Sequence, residues 1–142
     1  MLDETTTRRG TLRPAASDDL LRFALKLDGT VSGLVAALSL LAATPLESLL
    51  GLPAWLHWAQ GGFLALYAAA LWYAGTHQAV IRTIGVSAVS LNAVWAVGCV
   101  AIIAAGTSWF PITPLGYGYV AFLGVAVVVF GALQYAGLKR AR

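Results

Sequence analysis

The sequence predicts an all-α fold: a transmembrane bundle of four helices, up-down-up-down, with both termini cytoplasmic and a short outer interfacial helix after the first span. Three observations lead there. Of the 142 residues, 59% are hydrophobic and 11% charged, where a soluble domain averages about 45–50% apolar and about 25% charged. The excess apolar surface calls for lipid as a solvent. The apolar residues also fall in four runs, each near the ~20 residues that a helix needs to cross a bilayer. Finally, all nine basic residues, Arg8, Arg9, Arg13, Arg22, Lys26, Arg82, Lys139, Arg140 and Arg142, fall where those runs would leave them on one side. That bias is the positive-inside pattern and sets the orientation.

Each element has its own signal. Residues 1–16 are rich in Thr, Arg, Asp and Glu, with Gly10 and Pro14, and read as a disordered cytoplasmic tail. The membrane domain is residues 17–142. Ser17, Asp18 and Asp19 supply acceptors and negative charge for the start of a helix. The first span is placed at 20–43. Thr44 as N-cap, Pro45 at the first helical position and Glu47 at capping-box spacing then predict a short helix over 45–50, stopped by Gly51. Pro53 opens the second span at 54–74, and residues 75–78 form a tight inner turn. The third span is placed at 79–105, an outer loop at 106–114 and the fourth span at 115–138. The terminal Lys139, Arg140 and Arg142 suit a helix C-terminus facing the cytoplasm.

Several functions are set aside at this stage. The net charge of +3 lies at span ends, where topology and anionic lipid account for it, so nucleic acid is not an expected partner. A cleavable signal peptide is not expected, because the polar start runs into the first apolar segment without a short h-region and cleavage site. The single cysteine, Cys99, allows no intrachain disulfide and no Cys-based metal motif. His57 and His77 stand 20 positions apart on one predicted helix, hence about 30 Å, too far to share a haem iron. No nucleophile-base pair, carboxylate pair, phosphate loop or His-x-x-x-His is present. No catalytic residue and no metal site is therefore predicted.

In lipid, helices associate through close backbone approach and interhelical hydrogen bonds, so small residues mark the interior. Gly29 and Gly33 form a GxxxG in the first span, Gly85 leads a small-residue face in the third, and Gly124 and Gly131 do so in the fourth, with Gly61 and Gly62 in the second. These faces are expected to converge on the bundle axis. Self-association through GxxxG is the competing use.

Polar residues inside the spans are the candidate site. Asp28 would lie ~12 Å into the first helix, where a charged side chain costs at least about 2.5–3.5 kcal/mol unless paired or wet. It is either a functional ligand for a proton, cation or substrate, or half of an ion pair, with Arg82 the expected partner. Gln134 and Ser32 complete the expected inner cluster. Asn92 and Trp95, three positions apart and near mid-span, share a face that can floor a pocket, the amide orienting and the indole stacking. Trp55, His57, Trp58, Trp109, Tyr117 and Tyr119 are expected together at the outer surface, as an interfacial aromatic belt or the mouth of a pocket.

Over 20–138 the chain resembles a family of small four-span bacterial membrane proteins without a settled activity. The likeness rests on Leu27-Asp28-Gly29, the run Leu49-Leu50-Gly51-Leu52-Pro53, Gly62, the run Asn92-Ala93-Val94-Trp95, the run Thr113-Pro114-Leu115-Gly116 and the run Gln134-Tyr135-Ala136-Gly137-Leu138. More remotely, in size and topology, it looks like the DoxX-like group. The resemblance implies weight on Asp28, Asn92 and Gln134. Together these readings predict a non-enzymatic integral protein of the cytoplasmic (inner) membrane, acting as an accessory subunit or a partner- or lipid-binding module. Its expected partners are the lipid bilayer and other membrane subunits or further copies of itself. The alternatives are an oligomeric small transporter or channel using Asp28, and a quinone-binding redox component. No cofactor is predicted; quinone and lipid are the ligands considered.

Overall fold

The computed structural model describes residues 18–141, and within them the chain is helical with no strand. The predicted tail at 1–16, Ser17 and Arg142 lie outside the described residues. The elements are α1 (Asp19–Leu41), α2 (Ala43–Leu50), α3 (Ala54–Thr76), α4 (Ile81–Ala105), a single 3₁₀ turn (Gly106–Ser108) and α5 (Pro114–Arg140). Three of the long helices, α1, α4 with the turn that follows it, and α5, are long and apolar enough to cross a membrane. The 23-residue α3 is not among them. His57, Gln60 and several Trp and Tyr residues dilute its apolar content.

The start of α1 departs from the expected cap. Asp18 holds the N-cap position but its carboxylate makes no cap bond; it accepts instead from the Gln78 amide beyond the end of α3. Arg22 donates to the Gly75 carbonyl at 2.9 Å and to Gln78, which ties the same two helix ends. The short helix begins earlier than predicted. The backbone breaks at Ala42, and α2 starts at Ala43 with no side-chain cap, leaving Thr44 inside the helix. Burial of Ala43 and Leu46 extends α2 by that first turn. Glu47, expected to cap its own helix, accepts from the Ala54 amide at 3.0 Å and so caps α3.

Gly51 ends α2 in the left-handed region at φ 72°, and a Cβ there would stand 1.9 Å from the Pro111 carbonyl oxygen. Glycine is required on both counts. That close approach lets Thr113 fasten the outer loop. Its amide donates to Leu50 O at 3.0 Å and its hydroxyl to Leu49 O at 2.7 Å. The same hydroxyl accepts from Gly116 N at 3.0 Å, an N-cap with Pro114 at the first helical position.

Packing is uneven around the molecule. α1 lies along α3, α5 lies along α4 and also along α1, while α3 and α4 meet only sparsely. Gly29 and Gly33 face α3, where a Cβ on Gly29 would stand 3.2 Å from Leu71 and 3.3 Å from the Ala68 carbonyl, so the GxxxG serves an intrachain contact. Gly85 packs on Leu138 and Leu21, Gly124 on Cys99 and Gly131 on Asn92. Gly61 meets Leu40, but Gly62 faces open space. At Gly137 the α5 backbone lies directly against that of α1, where a Cβ would stand 2.7 Å from Leu21 Cα and 2.8 Å from Leu21 N. One apolar cluster joins Leu21, Leu25, Leu71, Ile81, Ala88 and Leu138. A second, toward the other end, joins Leu50, Leu52, Cys99, Ile112, Val120 and Leu123.

Candidate functional site

Asp28 stands nine positions into α1 and is 1% exposed. Its side chain is the centre of a network that draws on all four long helices. Ser32, one turn on, donates to Oδ1 at 2.9 Å. Three donors converge on Oδ2: Tyr67 of α3 at 2.9 Å, Asn92 of α4 at 3.0 Å and Gln134 of α5 at 2.7 Å. Asn92 also donates to Gln134 Oε1 at 3.0 Å. Both amides turn their N–H groups to the carboxylate, the orientation that suits an acceptor-only, ionised group.

The expected ion pair with Arg82 does not form. All four groups bonded to Asp28 are neutral, and Arg82 is exposed in the first turn of α4. The reason is depth. Arg82 precedes Asn92 by ten positions, about 15 Å along a helix, and it is Asn92 that lies level with Asp28. The other described basic side chains are engaged or exposed. Arg22 bonds Gly75 and Gln78, Lys26 lies over the Trp72 ring, Lys139 over the Tyr135 ring, and Arg140 is exposed. The expected inner cluster and mid-span pocket are thus one site: Asp28, Ser32, Gln134 and Asn92 belong to it, Trp95 borders it, and Arg82 is outside.

A cavity of about 40 Å³ adjoins the network, walled by Ser32, Tyr67, Asn92, Phe63, Trp95 and Phe130 among others. Next to it, where α3 and α4 part, runs a groove of about 410 Å³. Its lining is apolar except toward Gln60 and Tyr119. The two share Phe63, Trp95 and Leu123. Phe63 stacks on Trp95 with ring centroids 5.7 Å apart, and on Tyr67 at 6.0 Å. An aromatic ladder therefore leads from the groove to the hydroxyl that bonds Asp28.

The outer aromatic group divides. Trp55, Trp58 and Trp109 are exposed, as a belt requires. Tyr117 is half-buried, its hydroxyl against Gly106. His57, expected at the surface with them, is only 2% exposed and lies edge-on to Tyr119 at 6.3 Å. Beside them Gln60 donates to Ser39 Oγ at 3.0 Å and to the Tyr119 hydroxyl at 2.8 Å. His57 Nε2 has no partner among the described residues. Placement on α3 explains the correction: His57 and Gln60, three apart, both turn toward α1 and α5 rather than outward.

Tyr67, Phe63, Gln60 and Ser39 were missed from the sequence. Tyr67 had a usable signal. It stands nine positions before the end of α3 at Thr76, as Asp28 stands nine after the start of α1. Among the described residues, no three of His, Cys, Asp and Glu gather into a metal-binding group.

No known family, curated protein or solved structure matches this chain. Function must be argued from the site itself.

Proposed function

We propose that this chain is a non-enzymatic, four-span protein of the cytoplasmic membrane, with both termini in the cytoplasm. In this reading it serves as a binding module, or as an accessory subunit of a larger membrane complex, that takes an amphipathic molecule from the lipid phase. α3 is the fourth span, held at membrane depth by its contact with α1 and by Tyr67, which meets the polar network from that side. The observation that carries the reading is the groove between α3 and α4. It is apolar where a molecule would enter sideways from lipid, and it adjoins a small cavity with one polar wall, Ser32, Tyr67 and Asn92, backed by Asp28.

The test is native mass spectrometry of protein taken from its own membrane in polymer-bounded patches, beside the variant Gly98→Leu. Gly98 lines the groove and a Cβ on it meets nothing within 4 Å, so the larger side chain fills the groove without disturbing the helix packing. A small molecule that accompanies the native chain and is lost from Gly98→Leu is the expected result. A native chain that carries nothing, or a variant that keeps its cargo, refutes the reading. A quinone-binding redox role is the second reading, favoured by the Trp95, Phe63 and Tyr67 stack; the mass and absorbance of the cargo decide between them.

A further inference from the structure

The cavity at Asp28 has a chemical polarity of its own. Among the described residues, Asp28 Oδ2 accepts from three donors, whereas Oδ1 accepts only from Ser32. The carboxylate does not itself line the cavity; it stands directly behind Ser32, Tyr67 and Asn92, which do. Asn92 commits both hydrogens of its amide nitrogen, to Asp28 and to Gln134, and its Oδ1 has no partner among the described residues. Ser32 and Asn92 both line the cavity. With the Trp95 indole on the wall shared with the groove, the side formed by Ser32, Tyr67 and Asn92 therefore offers acceptors, its donors being spent on the network. A ligand carbonyl, such as a quinone presents, would meet acceptors there.

The remaining walls select charge in the same direction. Phe63, Tyr67, Trp95 and Phe130 surround the cavity, and aromatic faces attract cations. Among the described residues the carboxylate has only neutral partners, and the cationic side chains are engaged or exposed elsewhere. Size sets the rest. A cavity of about 40 Å³ has room for two or three water-sized groups, since one water needs roughly 10–15 Å³ by this measure. That suits an ammonium head and nothing larger. The contiguous groove of about 410 Å³ is where an apolar body would lie.

We propose that the Asp28 cavity binds the protonated nitrogen of a lipophilic amine, whose apolar body occupies the groove between α3 and α4. This rests on the lipid-phase binding reading and names the class of molecule bound. The ligand is a free amine and not a zwitterionic lipid, because a phosphate beside the nitrogen would carry a negative charge toward Asp28 into an apolar groove.

The test compares radiolabelled dodecylamine with dodecanol, chains of equal length with different heads. Each is titrated onto the full protein in phosphatidylcholine nanodiscs, with protein-free nanodiscs subtracted. Saturable amine binding at least about tenfold tighter than the alcohol is expected, a preference of about 1.4 kcal/mol. Asp28→Asn removes the preference and leaves alcohol binding in place; Gly98→Leu weakens both. The native comparison decides even if Asp28→Asn fails to fold. Equal binding of amine and alcohol overturns the amine assignment and leaves the groove as a binding site. An amine preference that survives in folded Asp28→Asn overturns it as well. Binding of neither probe, where the native chain still carries a cargo that Gly98→Leu removes, also sinks the amine assignment alone. Binding of neither probe with no cargo sinks both readings.

Discussion

Replacing Asn92 with alanine tests whether the Asp28 network holds the helices together. Two bonds are lost, one to Asp28 and one to Gln134, both at 3.0 Å. Hydrogen bonds between membrane helices average about 0.6 kcal/mol and reach about 1.7. The pair thus accounts for somewhat more than about 1 kcal/mol. Gln134 is 0% exposed, so its Oε1 is left buried without a donor, a further cost of about 1–3 kcal/mol. A loss of about 2–4 kcal/mol is therefore expected. Ser90→Ala is the control. Ser90 is exposed and bonds only the Val86 carbonyl of its own helix, so it should fall within about 0.5 kcal/mol of the native chain. The assay is reversible unfolding in mixed micelles of dodecyl maltoside and SDS, followed by far-ultraviolet ellipticity. A double-mutant cycle of Asn92→Ala with Asp28→Asn should show coupling, because the two residues share a bond. If Asn92→Ala matches Ser90→Ala, or the two network changes add, the network is not what holds α4 to its neighbours.

Four further outcomes follow from the geometry. Gly137→Val should destabilise by about 1–3 kcal/mol in the same assay, because the obstructing atoms are Leu21 backbone and cannot swing aside; Gly118→Ala, facing open space, should be neutral or slightly stabilising. Thr113→Val removes an N-cap and the bond to Leu49 O; a cost of about 1 kcal/mol and faster amide exchange at Gly116 are expected. Arg82→Gln should leave unfolding unchanged to within about 0.5 kcal/mol, whereas an ion pair with Asp28 would make it costly. For topology, alkaline phosphatase fused after Ser108 should be active and fused at the C-terminus inactive, as translocation to the outer side requires; the reverse pattern would overturn the proposed orientation.

The helical class was legible because composition and run length both report burial in an apolar solvent, and the end of α2 because Gly51 has few alternatives there. Asp28, Asn92 and Gln134 stood out because each is expensive in an apolar run. What could not be read was their mutual level. That depends on where each helix begins, and placing the third span two residues early, at 79, put Arg82 deeper than it lies and nearer the level of Asp28. Thr44 misled for a similar reason. Its local capping pattern is sound, but burial of Ala43 and Leu46 pulled the helix start past it. Tyr67 was hidden by its own amphipathic character, since a tyrosine in a span reads equally well as a belt residue. The parting of α3 from α4 left no sequence signal, because it follows from which helices pack elsewhere.

The partners of Asp28 are far apart along the chain: Ser32 follows it by 4 positions, Tyr67 by 39, Asn92 by 64 and Gln134 by 106. On the membrane reading, this sets an order of events during synthesis. α1 leaves the ribosome with its carboxylate supported by Ser32 alone. Each later long helix delivers one more donor, and the shortest bond, that of Gln134 at 2.7 Å, arrives with the last. The nascent chain thus carries an unmet demand at its first helix that only its final helix completes, and a product cut short after α4 would be marked as unfinished by its own chemistry.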